Sequence, residues 1–120
     1  MENIKIAIII GSTREGRASI HVGEWVMDHV NKNEGAEYEI IDLKDFDLPF
    51  YGTSRDFSEV KRWNETLNRF DGFIFITAEY NHSMPAVLKN AIDSAKEVWF
   101  NKAAGIVSYG SSNGARSAEH

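Results

Sequence analysis

Apolar residues in this chain come in short blocks that switch between two periods. Ile4-Lys-Ile-Ala-Ile-Ile-Ile10 is β-branched and almost unbroken, the pattern of a strand covered on both faces. From Ala18 to about Asn31 the spacing changes, and Val22, Trp25, Val26 and Val30 predict a helix with one apolar stripe. Glu37–Leu43 predicts a second strand, and Pro49, Gly52 and their polar neighbours mark a long loop. Val60, Trp63, Leu67 and Phe70 form a second helical stripe, with Ser58 placed to cap it. Gly72–Thr77 reads as a third strand. Val87, Leu88, Ala91, Ile92, Ala95 and Trp99 line one face of a third helix, and Ala103–Tyr109 reads as a fourth strand. A further helix is expected to begin near Arg116–His120.

Strands alternating with helices imply parallel βαβ units with right-handed crossovers. Two polar loops stand out at strand ends: Gly11–Arg17 after the first strand, and Glu79–His82 after the third. Open α/β sheets bind ligands beyond the carboxyl ends of their strands. Setting these two loops side by side gives a doubly wound sheet of order 2-1-3-4 in one domain spanning 1–120. No repeat or low-complexity segment interrupts it.

Composition narrows the function classes. The chain has 120 residues and a net charge of −5, with acids and bases mixed along it. No Lys/Arg block offers a nucleic-acid footprint, and no apolar run approaches a membrane span. Ile4–Ile10 is too short, and wrongly flanked, for a secretory signal. Without cysteine, disulfides, thiol catalysis and cysteine metal sites are excluded, and a cytoplasmic location is the default. The four histidines, His21, His29, His82 and His120, lack ligand spacing, so no metal site is expected.

The first loop carries Ser12, Thr13, Arg14, Gly16, Arg17 and Ser19 between a buried strand and a helix. Backbone N–H groups at a helix start are unpaired and partly positive, and with hydroxyls and arginine they suit a phosphate dianion. Neither a Gly-Lys-Ser/Thr nor a Gly-x-Gly-x-x-Gly pattern is present, which argues against nucleoside-triphosphate and dinucleotide loops. A solvated turn with Ser12 as a simple cap fits the same residues. In the second loop, Tyr80 is either a packing residue or part of a site, and His82 is either loop decoration or a proton carrier. Asn90 is placed on the helix that follows, free to face solvent or the loop.

Taken together, Gly11-Ser-Thr-Arg-Glu-Gly-Arg17, the run from Glu79 to Asp93 and the loop Ser108-Tyr-Gly-Ser-Ser-Asn-Gly114 resemble the NADPH-dependent FMN reductase family. This is the quinone-, azo- and chromate-reducing branch of the flavodoxin-like fold. The resemblance departs at Ala78, where the family has proline, at His82-Ser83, and at Asn113, where it has glycine; Asn tolerates the left-handed backbone such a turn needs. It implies FMN as cofactor and NADPH or NADH as electron donor. It also implies that Ser12, Arg14 and Ser19 grip the ribityl phosphate, with Thr13, Arg17 and Ile20 beside them. Glu79, Tyr80, Asn81 and Ser83 would seat the isoalloxazine, Ser83 also capping a helix begun by Met84 and Pro85. Ser108, Tyr109 and Gly110 would complete the slot. Hydride would pass to the flavin, and electrons then to a small quinone, azo, metal or flavin acceptor, with no protein residue assigned as a catalytic acid or base.

Family members continue to a fifth strand and a last helix that are missing here. Truncation and a minimal version of the fold both remain open. The fourth strand would then be a sheet edge, which favours a homodimer or homotetramer. An FMN-binding electron carrier without nicotinamide turnover, and an inactive fragment, are the competing readings.

Overall fold

A computed structural model describes residues 3–120. The elements run β1 (Ile4–Ile10), α1 (Ser19–Val30), β2 (Ala36–Asp42), α2 (Ser58–Leu67), β3 (Gly72–Ala78), α3 (Ala86–Asp93), β4 (Ala103–Tyr109) and α4 (Ala115–Glu119). Short 3₁₀ turns occupy Leu43–Asp45 and Glu97–Trp99. All four strands are parallel and lie in the order β2-β1-β3-β4, the doubly wound, flavodoxin-like arrangement.

β1 is the axis of the molecule because it is apolar on both faces. Ala7, Ile8, Ile9 and Ile10 all have 0% exposure. Ile8 and Ile10 pack beneath α1 with Val26 and Ile76. Ala7 and Ile9 face Trp63 and Leu67 of α2, and Leu88 and Ala91 of α3. Each buried isoleucine contributes about 1.5–3 kcal/mol relative to exposure. The unbroken run in the sequence is therefore the record of a strand with two cores to fill.

Register decides where the loops emerge. Ile10 pairs with Asp42 on one side and with Ile76 on the other, while Ala78 pairs with Tyr109. The carboxyl ends of β1, β3 and β4 are thus neighbours, with β3 and β4 reaching beyond β1. Gly11 makes the exit from β1 possible. Its N–H donates to the Ile76 carbonyl at 2.9 Å, and a Cβ there would lie 2.4 Å from that same oxygen. No larger residue fits without moving β3.

Several local expectations need correction. Trp25 does not join the buried stripe of α1: it is 58% exposed and tilts against His29. The inward line is Ser19, Gly23 and Val26, so small residues bring the helix close and the indole falls outside the arc. Ser58 is the first residue of α2 rather than its cap, and the Asp56 carboxylate accepts its N–H at 3.0 Å. The stripe from Val87 to Trp99 is not one helix, since α3 ends at Asp93 and Val87 is exposed. The Trp99 indole then donates to the Ile92 and Ala95 carbonyls, satisfying groups left free past the helix end.

Trp63 combines near-complete burial with an indole N–H donated to the Ala91 carbonyl at 2.8 Å. Trp63→Ala is expected to lower unfolding free energy by about 3–5 kcal/mol. Trp25→Ala should stay within about 0.5 kcal/mol, as for other surface substitutions. Urea denaturation of the two variants checks this, and equal losses would refute the packing described for α1.

Candidate functional site

Three loops meet where β1, β3 and β4 end: loop 1 (residues 11–18), loop 2 (79–85) and loop 3 (110–114). A cavity of about 180 Å³ opens between them. Loop 1 contributes Arg14 and Ala18, the end of β3 and loop 2 contribute Ala78, Glu79 and Tyr80, and the third side is Tyr109 and Gly110.

Loop 1 is held from inside. The Ser12 carbonyl accepts from Arg17 Nη1 at 2.8 Å and from the buried Ser19 hydroxyl at 3.5 Å. Both Arg17 terminal nitrogens also donate to the Asp42 carboxylate at the end of β2. The pair is mostly shielded from solvent. Burial alone would raise the Asp42 carboxyl, but the hydrogen bonds from Arg17 and from the Lys44 N–H prevail and hold it below its usual range. The hydrogen bond to Asp42 in turn raises Arg17. Arg17 is therefore bound into a brace across the sheet end and does not point its charge into the cavity.

Arg14 is different. It is exposed, lines the cavity and, among the described residues, has no ion-pair partner. Among those residues, too, no backbone N–H from Thr13 to Ala18 donates to an internal acceptor. Gly16 takes a left-handed φ of 65° within this stretch. Free amides, a free guanidinium and a helix start form a donor set with no acceptor among it.

Loop 2 is a tight reversal. Tyr80 and Ser83 exchange backbone hydrogen bonds at 2.8 and 3.0 Å, with Asn81 (φ 49°) and His82 (φ 65°) at the corner. Positive φ at both central residues is the signature of a type I′ turn, and asparagine and histidine are among the residues that accept it. The Tyr80 hydroxyl reaches across to the Ser12 hydroxyl at 3.0 Å, bridging loops 1 and 2. Tyr109 lies on the far wall. Burial, with Tyr80 nearby, pushes its phenol above the ordinary value against the opposing pull of Ser19, Arg14 and Arg17.

The cavity thus gathers Arg14, Glu79, Tyr80, Tyr109 and Gly110, with Ser12 and Ser19 directly behind. Other expected site residues lie elsewhere. Thr13 faces a separate hollow of about 250 Å³ beside Lys44 and Phe50. Ile20 packs against the core under α1. Ser108 is half-buried at the base of loop 3, and exposed Asn81 shapes the turn. Ser83 does not cap α3, and Met84 and Pro85 do not begin it. The helix starts at Ala86 behind an extended Pro85, and the Ser83 hydroxyl pairs with His120 Nδ1 at 2.8 Å.

Sequence reasoning missed Asp42, whose signal was an acid ending a buried strand opposite a loop with a surplus arginine. It left the orientation of Asn90 open; the side chain donates to the Pro49 carbonyl and accepts the Tyr51 N–H, pinning the long loop after β2 to α3. The contribution of α4, through Ser117 and the backbone at Arg116, had no signal in the sequence at all.

Residues 4–120 match the sequence profile of the family described as NADPH-dependent FMN reductase. The chain belongs to the NADPH-dependent FMN reductase family. Among relatives, it is 35% identical over 119 residues to an NAD(P)H-dependent FMN reductase of Schizosaccharomyces pombe, covering 92% of this chain and 60% of that protein. It is 34% identical over 127 residues to an NAD(P)H:quinone oxidoreductase of Solanum tuberosum, covering 98% of this chain and 64% of that one. Its structure superposes on FerB, a flavoenzyme NAD(P)H:(acceptor) oxidoreductase from Paracoccus denitrificans, with TM-score 0.78 and 26% identity, over 97% of this chain and 67% of that one. This family member spans about 60% of the length of its Schizosaccharomyces pombe relative.

The brace behind loop 1 is testable by pH. Asp42→Asn should lower stability at pH 7 by about 1.5–3 kcal/mol, the worth of a hydrogen bond to a charged group. Because the Asp42 carboxyl is held low, its contribution is present above the unfolded value, near 3.9, and is lost as pH falls below it. The difference between wild type and variant should therefore shrink towards pH 3. A constant difference across that range in urea titrations would refute the ionic brace.

Proposed function

We propose that this domain binds FMN across its three loops and works as an NAD(P)H-dependent flavin oxidoreductase. The observation that carries the reading is the cavity at the ends of β1, β3 and β4, with Arg14 and loop 1 amides on one wall that are unpaired among the described residues. The fit to FMN is one of matched chemistry. A ribityl phosphate is an acceptor-only dianion, and loop 1 offers it the Arg14 guanidinium and a row of backbone N–H donors. Loop 2 brings Tyr80, held by its turn, to the cavity wall where the flavin ring would sit. When bound, FMN supplies the ring that accepts hydride and passes electrons on.

The residues have distinct tasks in this reading. Arg14 and the amides of Thr13–Ala18 bind the phosphate, while Ser12 and Ser19 hold the loop beneath it. Tyr80 forms the ring seat, with Tyr109 and Gly110 opposite and Glu79 holding the loop beside it. No side chain serves as acid or base, since positioning and a fixed polar environment suffice for hydride delivery. The acceptor is a small molecule of the quinone, azo, oxidised-metal or flavin class, and an FMN-only electron carrier is the competing reading. We further read the protein as a cytoplasmic homodimer or homotetramer. The cysteine-free composition supports the first part. An exposed Ile106 on β4, which pairs only with β3 among the described residues, supports the second.

An anaerobic visible spectrum with FMN, before and after NADPH, tests the reading. Protein-bound flavin absorbance that bleaches is the expected result. Bound flavin that stays oxidised would leave the carrier, and no bound flavin would overturn the assignment. Arg14→Ala should weaken FMN binding roughly tenfold or more, the worth of one charge-assisted hydrogen bond. Unchanged affinity in a fluorescence titration would refute the phosphate role.

A further inference from the structure

Glu79 stands at the junction of loops 2 and 3, and its contacts all point towards loop 3. Its N–H donates to the Tyr109 carbonyl at 3.0 Å, where loop 3 begins. Its Oε1 accepts the N–H of Arg116 at 2.9 Å and of Ser117 at 3.3 Å, where loop 3 ends. Arg116 and Ser117 are the second and third residues of α4, the amides that an N-cap side chain normally serves. Here the N-cap position is Gly114, which has no side chain to offer. Glu79 fills that role from another loop.

The neighbours reinforce this arrangement. The Ser117 hydroxyl pairs with Thr77 Oγ1 at 2.9 Å and donates to the Ala78 carbonyl at 2.8 Å. A Cβ on Gly110 would come 3.0 Å from the Glu79 Cβ, so the loop start packs closely against this one side chain. Loop 3 is thus closed at both ends on Glu79 and on the strand just before it.

We propose that Glu79 is a positioning residue whose carboxylate clasps loop 3 against loop 2 and so sets the width of the flavin slot. This deepens the functional reading above and rests on it. What matters is reach and an acceptor oxygen, not negative charge, because the partners are backbone amides. Glutamine keeps both reach and acceptor, whereas aspartate keeps the charge but is one methylene too short.

The test compares Glu79→Gln with Glu79→Asp in the full chain. Amide exchange at Arg116 and Ser117 is read by NMR without flavin, and FMN affinity by fluorescence titration. Glu79→Asp should speed exchange at both amides and weaken FMN binding, each by about tenfold. Glu79→Gln should keep exchange at both amides within about threefold of wild type. Exchange unchanged in Glu79→Asp would overturn the clasp, whatever the flavin does. Released amides with unchanged FMN affinity would overturn the positioning role. Loss of FMN in Glu79→Gln with the amides still protected would make charge the operative property and overturn the proposal. If wild type takes up no FMN, the functional reading and the slot both fail, and the exchange data alone decide the clasp.

Discussion

Parallel pairing around β1 is the constraint on which the rest depends. A strand with 0% exposure from Ala7 to Ile10 leaves its backbone no recourse but ladder bonds to β2 and β3. Parallel strands cannot be joined by tight hairpins, so each connection crosses back through a helix, and every strand ends on the same side. The three polar loops converge because the apolar residues permit no other topology. Gly11 is where the constraint is tightest, since the chain must leave β1 directly against the Ile76 carbonyl.

Convergence alone would give three mobile loops. What holds them together is a set of polar ties, several of them made to backbone beside the Tyr80–Ser12 hydroxyl bridge. Arg17 and Ser19 hold the Ser12 carbonyl, Asn90 holds the backbone of Pro49 and Tyr51, and Glu79 holds the amides of α4. Ties to backbone fix where a loop runs without constraining its side chains. A buried arginine that lost Asp42 would be left as an uncompensated charge, so the Arg17–Asp42 pair fixes the geometry of loop 1 more than it adds stability.

The fold was legible because its signals are periodic and local. Ile4–Ile10, Gly72–Ala78 and Ala103–Tyr109 announce themselves as strands, and their order follows from placing the loops together. The errors came where tertiary contacts overrule spacing. Trp25 has the right interval for a core residue, yet the buried line of the helix runs through Ser19, Gly23 and Val26 and leaves the indole outside it. Val87–Trp99 reads as one stripe because a helix and a 3₁₀ turn bury the same face. At the cavity, residue types marked the loops that the fold brings together but could not assign their partners. Arg14 and Arg17 lie three positions apart in one loop and have opposite fates, and only the location of Asp42 separates them. The Glu79–α4 contact joins residues far apart in sequence with no motif to mark it.

The division between the two arginines has an electrostatic consequence. The protein carries a net charge of −5, which would repel an anionic cofactor at long range. Within the cavity the balance is reversed. Asp42 is occupied by Arg17, the Oε1 of Glu79 is turned to backbone amides, and the side chains that line the walls are Arg14 and two phenols. Asp42 and Glu79 are both engaged by donors, while Arg14 and a row of amides with no internal acceptor among the described residues stand along loop 1. A charge that pairs away from the cavity leaves its neighbour free at the wall, so Arg17 fixes loop 1 while Arg14 supplies the local field.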